Sequence, residues 1–148
     1  MKNKDIIKEL LNVNIENIKE ETIIINNNKP FFVKEDYDIK EGEPKYFEPD
    51  EYERSTGAIA LISKNTIPLI INKKLKYPSP YGWSKELENK DVFERCHIIA
   101  YSLSAKLADK RNIFIGTEHL NSSVMIKIEN KIKNFENKFQ NNFIIIKI

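Results

Sequence analysis

The chain has 148 residues, 41% hydrophobic and 31% charged, and its formal charge is only +2, from 24 Lys+Arg against 22 Asp+Glu. That length suits one domain with a real core, ordinary apolar content and a small net charge disfavour disorder, and the mixed charges exclude a basic nucleic-acid tail. One cysteine, Cys96, excludes a disulfide scaffold, apolar runs such as Ile59-Ala60-Leu61-Ile62 are too short to span a membrane, and four glycines fit no Walker or Rossmann spacing.

In chain order, Ile6, Ile7, Leu10, Leu11 and Ile15 predict an amphipathic helix over 5–20. The charged and amide residues among them leave no export-type apolar run, so the expected location is cytoplasmic or reached by a non-classical route. Residues 22–25 are β-prone, and Asn26-Asn27-Asn28-Lys29-Pro30 is a turn signal. Residues 33–53 are polar and acidic and predict loop or very short elements. Residues 57–63 and 66–72 read as a hairpin, its second strand marked by Pro68 as an edge. Tyr77-Pro78-Ser79-Pro80-Tyr81-Gly82 is a rigid loop before Trp83. Strands are expected over 92–101 and 112–115, with Gly116-Thr117 breaking the pattern. Met125, Ile128, Ile132, Phe135 and Phe139 then form one helical apolar stripe, capped by Asn121, Ser122 or Ser123. Residues 143–148 are a final strand. The chain divides into an N-terminal extension, 1–21, and one α+β domain, 22–148.

Arginine occurs only at Arg54, Arg95 and Arg111, so lysine is the default cation. A planar fork suited to phosphate or carboxylate therefore marks each arginine for attention. On a strand, Arg95 and His97 share a face and can reach one anion. Their ordinary reading is a hydrogen-bonded, partly buried histidine beside a salt-bridged arginine. Cys96 points to the opposite face and reads as a small buried hydrophobe. Cys96, His97 and His119 lack the paired spacing of a zinc site. Asn121, taken alone, reads as a helix cap. Glu129 stands eight residues further on, about two helical turns, and reads alone as a solvated charge. Taken together, a strand with Arg-x-His, a second strand and a helix opened by an amide have the layout of a ββα-metal finger.

These segments resemble the DNA/RNA non-specific endonuclease family, and most closely its Gram-positive, streptococcal DNase-like branch. Glu94-Arg95-Cys96-His97-Ile98-Ile99-Ala100-Tyr101-Ser102-Leu103-Ser104 is similar to the family's Asp-Arg-Gly-His motif region. Lys110-Arg111-Asn112-Ile113-Phe114-Ile115-Gly116-Thr117-Glu118-His119-Leu120-Asn121 resembles its Lys-Asn-Leu-Ile-Thr-Gly-Thr-x-Tyr-x-Asn block, and residues 125–130 resemble the segment that follows. Upstream, Asn26-Asn27-Asn28-Lys29-Pro30-Phe31-Phe32, residues 54–60 and Pro80-Tyr81-Gly82-Trp83 resemble further family motifs, in the right order.

The resemblance implies an antiparallel sheet carrying the ββα-metal finger and a metal-dependent, sequence-non-specific endonuclease. His97 would be the general base and Asn121 the protein ligand of one Mg²⁺, for which Mn²⁺ is a substitute. Arg95 would brace the phosphate, Glu129 would support the site from the helix, and Arg54 would touch substrate. The substrates implied are DNA and, by the same backbone chemistry, RNA, cut to 5′-phosphate products.

Four features depart from the family pattern. Cys96 stands for glycine, Glu94 for aspartate and His119 for tyrosine, and relatives carry further strands after the metal helix. Relatives are also usually secreted or surface-bound. These departures suggest a C-terminally truncated copy, or a toxin module with an inhibitor or immunity protein as partner. The alternatives are a degenerate nuclease-like module that binds nucleic acid or a partner without cutting, and a helical interaction protein built on the 125–139 stripe.

Overall fold

The computed structural model describes residues 27, 29–69, 77–88, 92–104, 109–138 and 143–148. The chain divides into two units, Met1–Lys34 and Glu35–Ile148. In the first, the helix expected over 5–20 and the strand over 22–25 lie outside the described residues. Asn27, in the expected turn, has a φ of 50°, which asparagine tolerates better than most residues.

The second unit is α+β. One sheet has the order β1 (Lys45–Tyr46), β2 (Ala58–Ile62), β5 (Ile144–Lys147), with both pairings antiparallel. The other pairs β3 (Phe93–His97) with β4 (Ile113–Thr117). Helices α1 (Lys85–Glu88) and α2 (Tyr101–Ser104) flank β3 in sequence, and α3 (Ile126–Lys138) follows β4. The polar 33–53 stretch holds only a 3-10 turn, Lys34–Tyr37, and the two-residue β1. From that turn, buried Asp36 reaches Lys147 on β5 at 2.6 Å.

Strand β2 is apolar along its length because it is central. Ala58, Ala60 and Ile62 alternate onto one face and pack against Ile98, Ile99, Ala100 and Leu103. Ile132 of α3 and Ile144 and Ile146 of β5 close this core. Ala60 lies opposite Ile146, and Ile62 opposite Ile144, so a small residue faces a large one in the first pair.

The hairpin expected after β2 does not form in the described part of 66–72. Both edges of β2 are taken, one by β1 and the other by β5. Thr66 instead closes a turn: its hydroxyl accepts from the Ser63 N–H at 3.1 Å and reaches the Leu103 carbonyl at 2.8 Å. Leu69 is fully exposed. The strand expected over 92–101 ends at His97, and the chain turns into α2. Gly116 and Thr117, expected to break the second strand, belong to β4.

The helix departs from expectation most. It opens with a π turn, Leu120–Met125, and no side chain caps it from His119. The Leu120 N–H donates to Thr117 Oγ1 at 3.1 Å, so neither Asn121, Ser122 nor Ser123 is the cap. Ile128 and Phe135 of the expected stripe are 52% and 47% exposed, whereas Glu136 is only 2% exposed. Ile132 still packs on the core, with Glu129 and Glu136 flanking it on the inward face. Burial raises the Glu136 carboxyl pKa above its ordinary value.

Gly57 marks the seam where three segments meet. Its φ is +149°, and an added Cβ would collide with the Ile148 carbonyl oxygen and approach a Phe47 ring carbon to 2.8 Å. The neighbouring Ala58 exchanges backbone hydrogen bonds with Ile148 at 2.9 and 3.0 Å. Gly57→Ala is expected to cost roughly 2–4 kcal/mol from strain and overpacking, measured as a fall in the urea unfolding midpoint.

Candidate active site

Alternation along β3 places Arg95 and His97 on one face, as expected. That face borders an open cleft of about 740 Å³ lined by Tyr77, Trp83, Glu88, Glu94, Arg95, His97 and Asn121, among others. The loop expected to be rigid, 77–82, supplies Tyr77 and leads into Trp83.

His97 is partly buried, and its Nε2 is itself buried with no hydrogen-bond partner among the described residues. The Tyr77 ring meets the imidazole edge-on at 4.6 Å between centroids. Burial pushes the His97 pKa below the ordinary histidine value, so the ring is neutral at pH 7 and holds a lone pair to accept a proton.

Arg95 is held on three sides. Its guanidinium donates to Glu88 Oε1 at 2.9 Å and to the Tyr77 carbonyl at 3.4 Å, and it lies 5.1 Å from the Trp83 ring centre. The salt bridge of the ordinary reading and a place on the cleft are therefore both present. The planar fork explains why arginine stands here in a lysine-rich chain.

Asn121 sits on the π turn, a distortion frequent at functional sites. Its Nδ2 donates to Glu94 Oε2 at 2.6 Å. Glu94 was not among the expected site residues. The sequence signal was present, since an acid directly precedes the Arg-x-His motif. This contact turns the amide nitrogen toward the carboxylate and leaves the carbonyl oxygen as the amide's other end.

The remaining expected site residues lie elsewhere. Glu129 accepts from Ser102 Oγ at 3.1 Å and lines a separate, apolar cavity with Leu103, Phe114, Ile132 and Ile146. A π turn closes i→i+5 rings, which spoils the eight-residue spacing expected to bring Glu129 beside Asn121. Arg54 lines a different pocket with Asp50, Ser55, Tyr81, Ile113 and Ile115, and pairs with Asp50 at 2.6 Å.

Cys96 is fully buried, and its thiol pKa is pushed up to about 11, first by burial and then by the Glu94 charge. It stays protonated near neutrality and is a poor nucleophile. An added Cβ on Gly116 would strike its Sγ, so the thiol fills space that a glycine at 96 would leave open. Among the described residues, no three His, Cys, Asp or Glu side chains are grouped to hold a metal. No helix among them is long and apolar enough to cross a membrane.

The model of the DNA/RNA non-specific endonuclease family matches residues 34–148. The chain belongs to this family. Two solved structures share its fold. NucA from Streptococcus agalactiae with magnesium ion bound superposes with a TM-score of 0.57 at 17% identity, covering 76% of this chain and 58% of that one. The same protein with no metal bound gives 0.56 at 18% identity, covering 76% and 57%. The endonuclease-family chain therefore spans less than three fifths of the NucA chain. No curated protein sequence matches it.

Proposed function

We propose that this chain is a Mg²⁺-dependent endonuclease that cuts DNA and RNA without sequence preference and leaves 5′-phosphates. The supporting observation is the His97 imidazole, neutral and with its buried Nε2 unpartnered among the described residues, lining the same cleft as the Asn121 amide that Glu94 orients. The donor set fits the metal. The Asn121 amide oxygen is a hard oxygen donor bordering an open cleft, and Mg²⁺ prefers oxygen ligands and retains several waters. When bound, the ion stabilises charge on the phosphate and on the leaving 3′ oxygen.

The chain's own residues do the rest. The His97 imidazole takes a proton from the attacking water as the water oxygen bonds to phosphorus. The bond from phosphorus to the 3′ oxygen breaks, and that oxygen leaves protonated by solvent. Arg95, held by Glu88 and stacked near Trp83, offers fixed positive charge to the phosphate. Glu94 acts through Asn121, holding its amide in one orientation. The reacting centre addresses the phosphodiester, which carries no direct sequence information, and this accounts for a broad substrate range.

The test is incubation of plasmid DNA and of RNA with purified protein in Mg²⁺, in Mn²⁺ and in EDTA. Metal-dependent degradation of both substrates is expected, with 5′-phosphorylated ends. Glu94→Ala should lower metal affinity or activity about 10–100-fold, and Glu94→Gln, which still accepts from Asn121, should retain most of both. A folded protein that binds DNA in every condition but never cuts it would replace this reading with a nucleic-acid-binding module.

A further inference from the structure

We propose that the pocket holding Arg54 and Tyr81 seats an unpaired nucleobase next to the scissile phosphate, giving the enzyme a preference for single-stranded segments. This rests on the nuclease reading of the neighbouring cleft and adds a substrate subsite to it.

The pocket and the cleft share one face of the β3–β4 sheet. His97 lies directly opposite Ile113 in the register, and Arg95 opposite Ile115, and such cross-strand pairs project to the same side. From that face the cleft takes Arg95 and His97 and the pocket takes Ile113 and Ile115, and Glu94 and Phe114 border them from between these positions. One strand spacing, about 4.8 Å, therefore separates the two rows. The pocket therefore stands beside the cleft, placed for a nucleotide that neighbours the phosphate at His97. The 77–83 loop serves both sides, with Tyr77 and Trp83 on the cleft and Pro80 and Tyr81 on the pocket.

The chemistry of the pocket suits a flat neutral group better than a phosphate. Arg54 is matched by Asp50, whose Oδ2 accepts from Arg54 Nε at 2.6 Å. Both Nε and Nη2 of Arg54 are spent on Asp50, at 2.6 Å each, whereas Arg95 gives its carboxylate partner Glu88 a single nitrogen. A base instead presents both donors and acceptors along its edge, which this pair complements. The walls supply stacking surfaces. Tyr81 is 48% exposed on the pocket, and the Arg54 guanidinium is stiffened from behind by the Tyr52 ring at 4.9 Å. The pocket measures about 380 Å³, within the span of roughly 300–1,000 Å³ typical of small-ligand sites. A paired base reaches such a pocket only by leaving its stack, so the subsite favours strands already unpaired.

The test measures binding in EDTA, where no cutting occurs, with fluorescent dodecamer oligothymidylate, the same strand carrying abasic residues, and a duplex. Tyr81→Ala should weaken oligothymidylate binding roughly 5- to 150-fold and leave duplex binding unchanged, while Tyr81→Phe should restore it. Wild-type protein should bind the abasic strand as weakly as Tyr81→Ala binds the normal one. Equal loss on single strand and duplex, tight binding of the abasic strand, or no binding of any strand would overturn the proposal. The abasic comparison needs no variant, so it decides the matter even if Tyr81→Ala fails to fold. A chain that shows the base dependence but never cuts would keep this subsite and lose the nuclease reading; one that cuts but shows no base dependence would do the reverse.

Discussion

His97→Ala is expected to slow DNA cleavage by about 10²–10⁴-fold, the usual contribution of a positioned general base. No other described side chain on the cleft offers an uncharged nitrogen lone pair. Arg95 is permanently charged and Trp83 only donates. Binding of DNA without turnover should persist, because Arg95 and Asn121 keep their partners Glu88 and Glu94. Turnover rates with Mg²⁺ for wild type and variant, beside unfolding midpoints for both, separate lost chemistry from lost folding. Added imidazole should restore part of the rate, since removal opens space against the Tyr77 ring. Equal rates in wild type and His97→Ala would remove His97 from the mechanism.

The pH dependence follows from the same burial. Desolvation depresses the His97 pKa below the ordinary value of 6.5, so the neutral base persists further into acid than a free histidine would. The acid limb of a rate profile should therefore have its midpoint below pH 6.5. The stability effect has a definite sign. Above the unfolded value neither state holds the proton, and His97 contributes no pH dependence. As pH falls past it, the unfolded chain takes up a proton that the folded chain resists, so this residue lowers stability toward acid.

That Arg95 and His97 share a face was readable because a strand has period 2. Arg95 and His97 must share a face once β3 is recognised, and the order strand, strand, helix places an amide near them. The family motifs carried the same information. The partner of Asn121 was less accessible. Glu94 lies 27 residues away, and only the tertiary fold brings the two together. The helix face was misassigned for a local reason. Hydrophobicity favours Ile128 and Phe135 inward, but the π turn changes the winding before α3, and Glu129 and Glu136 face inward beside Ile132. The 66–72 segment looks like a hairpin partner for β2 because sequence reading favours near neighbours. The strand that takes that edge, β5, comes more than eighty positions after β2, with comparable apolar character.

Asn112→Ala is expected to cost about 3–5 kcal/mol, the largest stability loss among these substitutions. Asn112 is fully buried just before β4. Its Oδ1 accepts from the Ile99 N–H at 2.8 Å, and its Nδ2 donates to the Ile99 carbonyl at 2.9 Å. Its own backbone carbonyl accepts from Ile98 at 2.8 Å. The side chain thus extends the β3–β4 ladder beyond His97, where the main chain has already turned toward α2. Alanine would leave a buried donor and a buried acceptor unmatched, at roughly 1–3 kcal/mol each, and would open a small void in the core. At this chain length the loss corresponds to a fall in Tm on the order of 10 °C. Asn112→Asp should also fail, because a carboxylate cannot donate to the Ile99 carbonyl and is costly to bury. Ile99 is two residues from His97, so the same bonds fix the direction in which the chain leaves β3. Kept cold enough to remain folded, Asn112→Ala should therefore also turn over more slowly than wild type, with its acid limb moved toward the ordinary histidine value as the His97 environment loosens. A variant as stable as wild type would show that the Ile99 amide finds other partners and that β3 is held without this side chain.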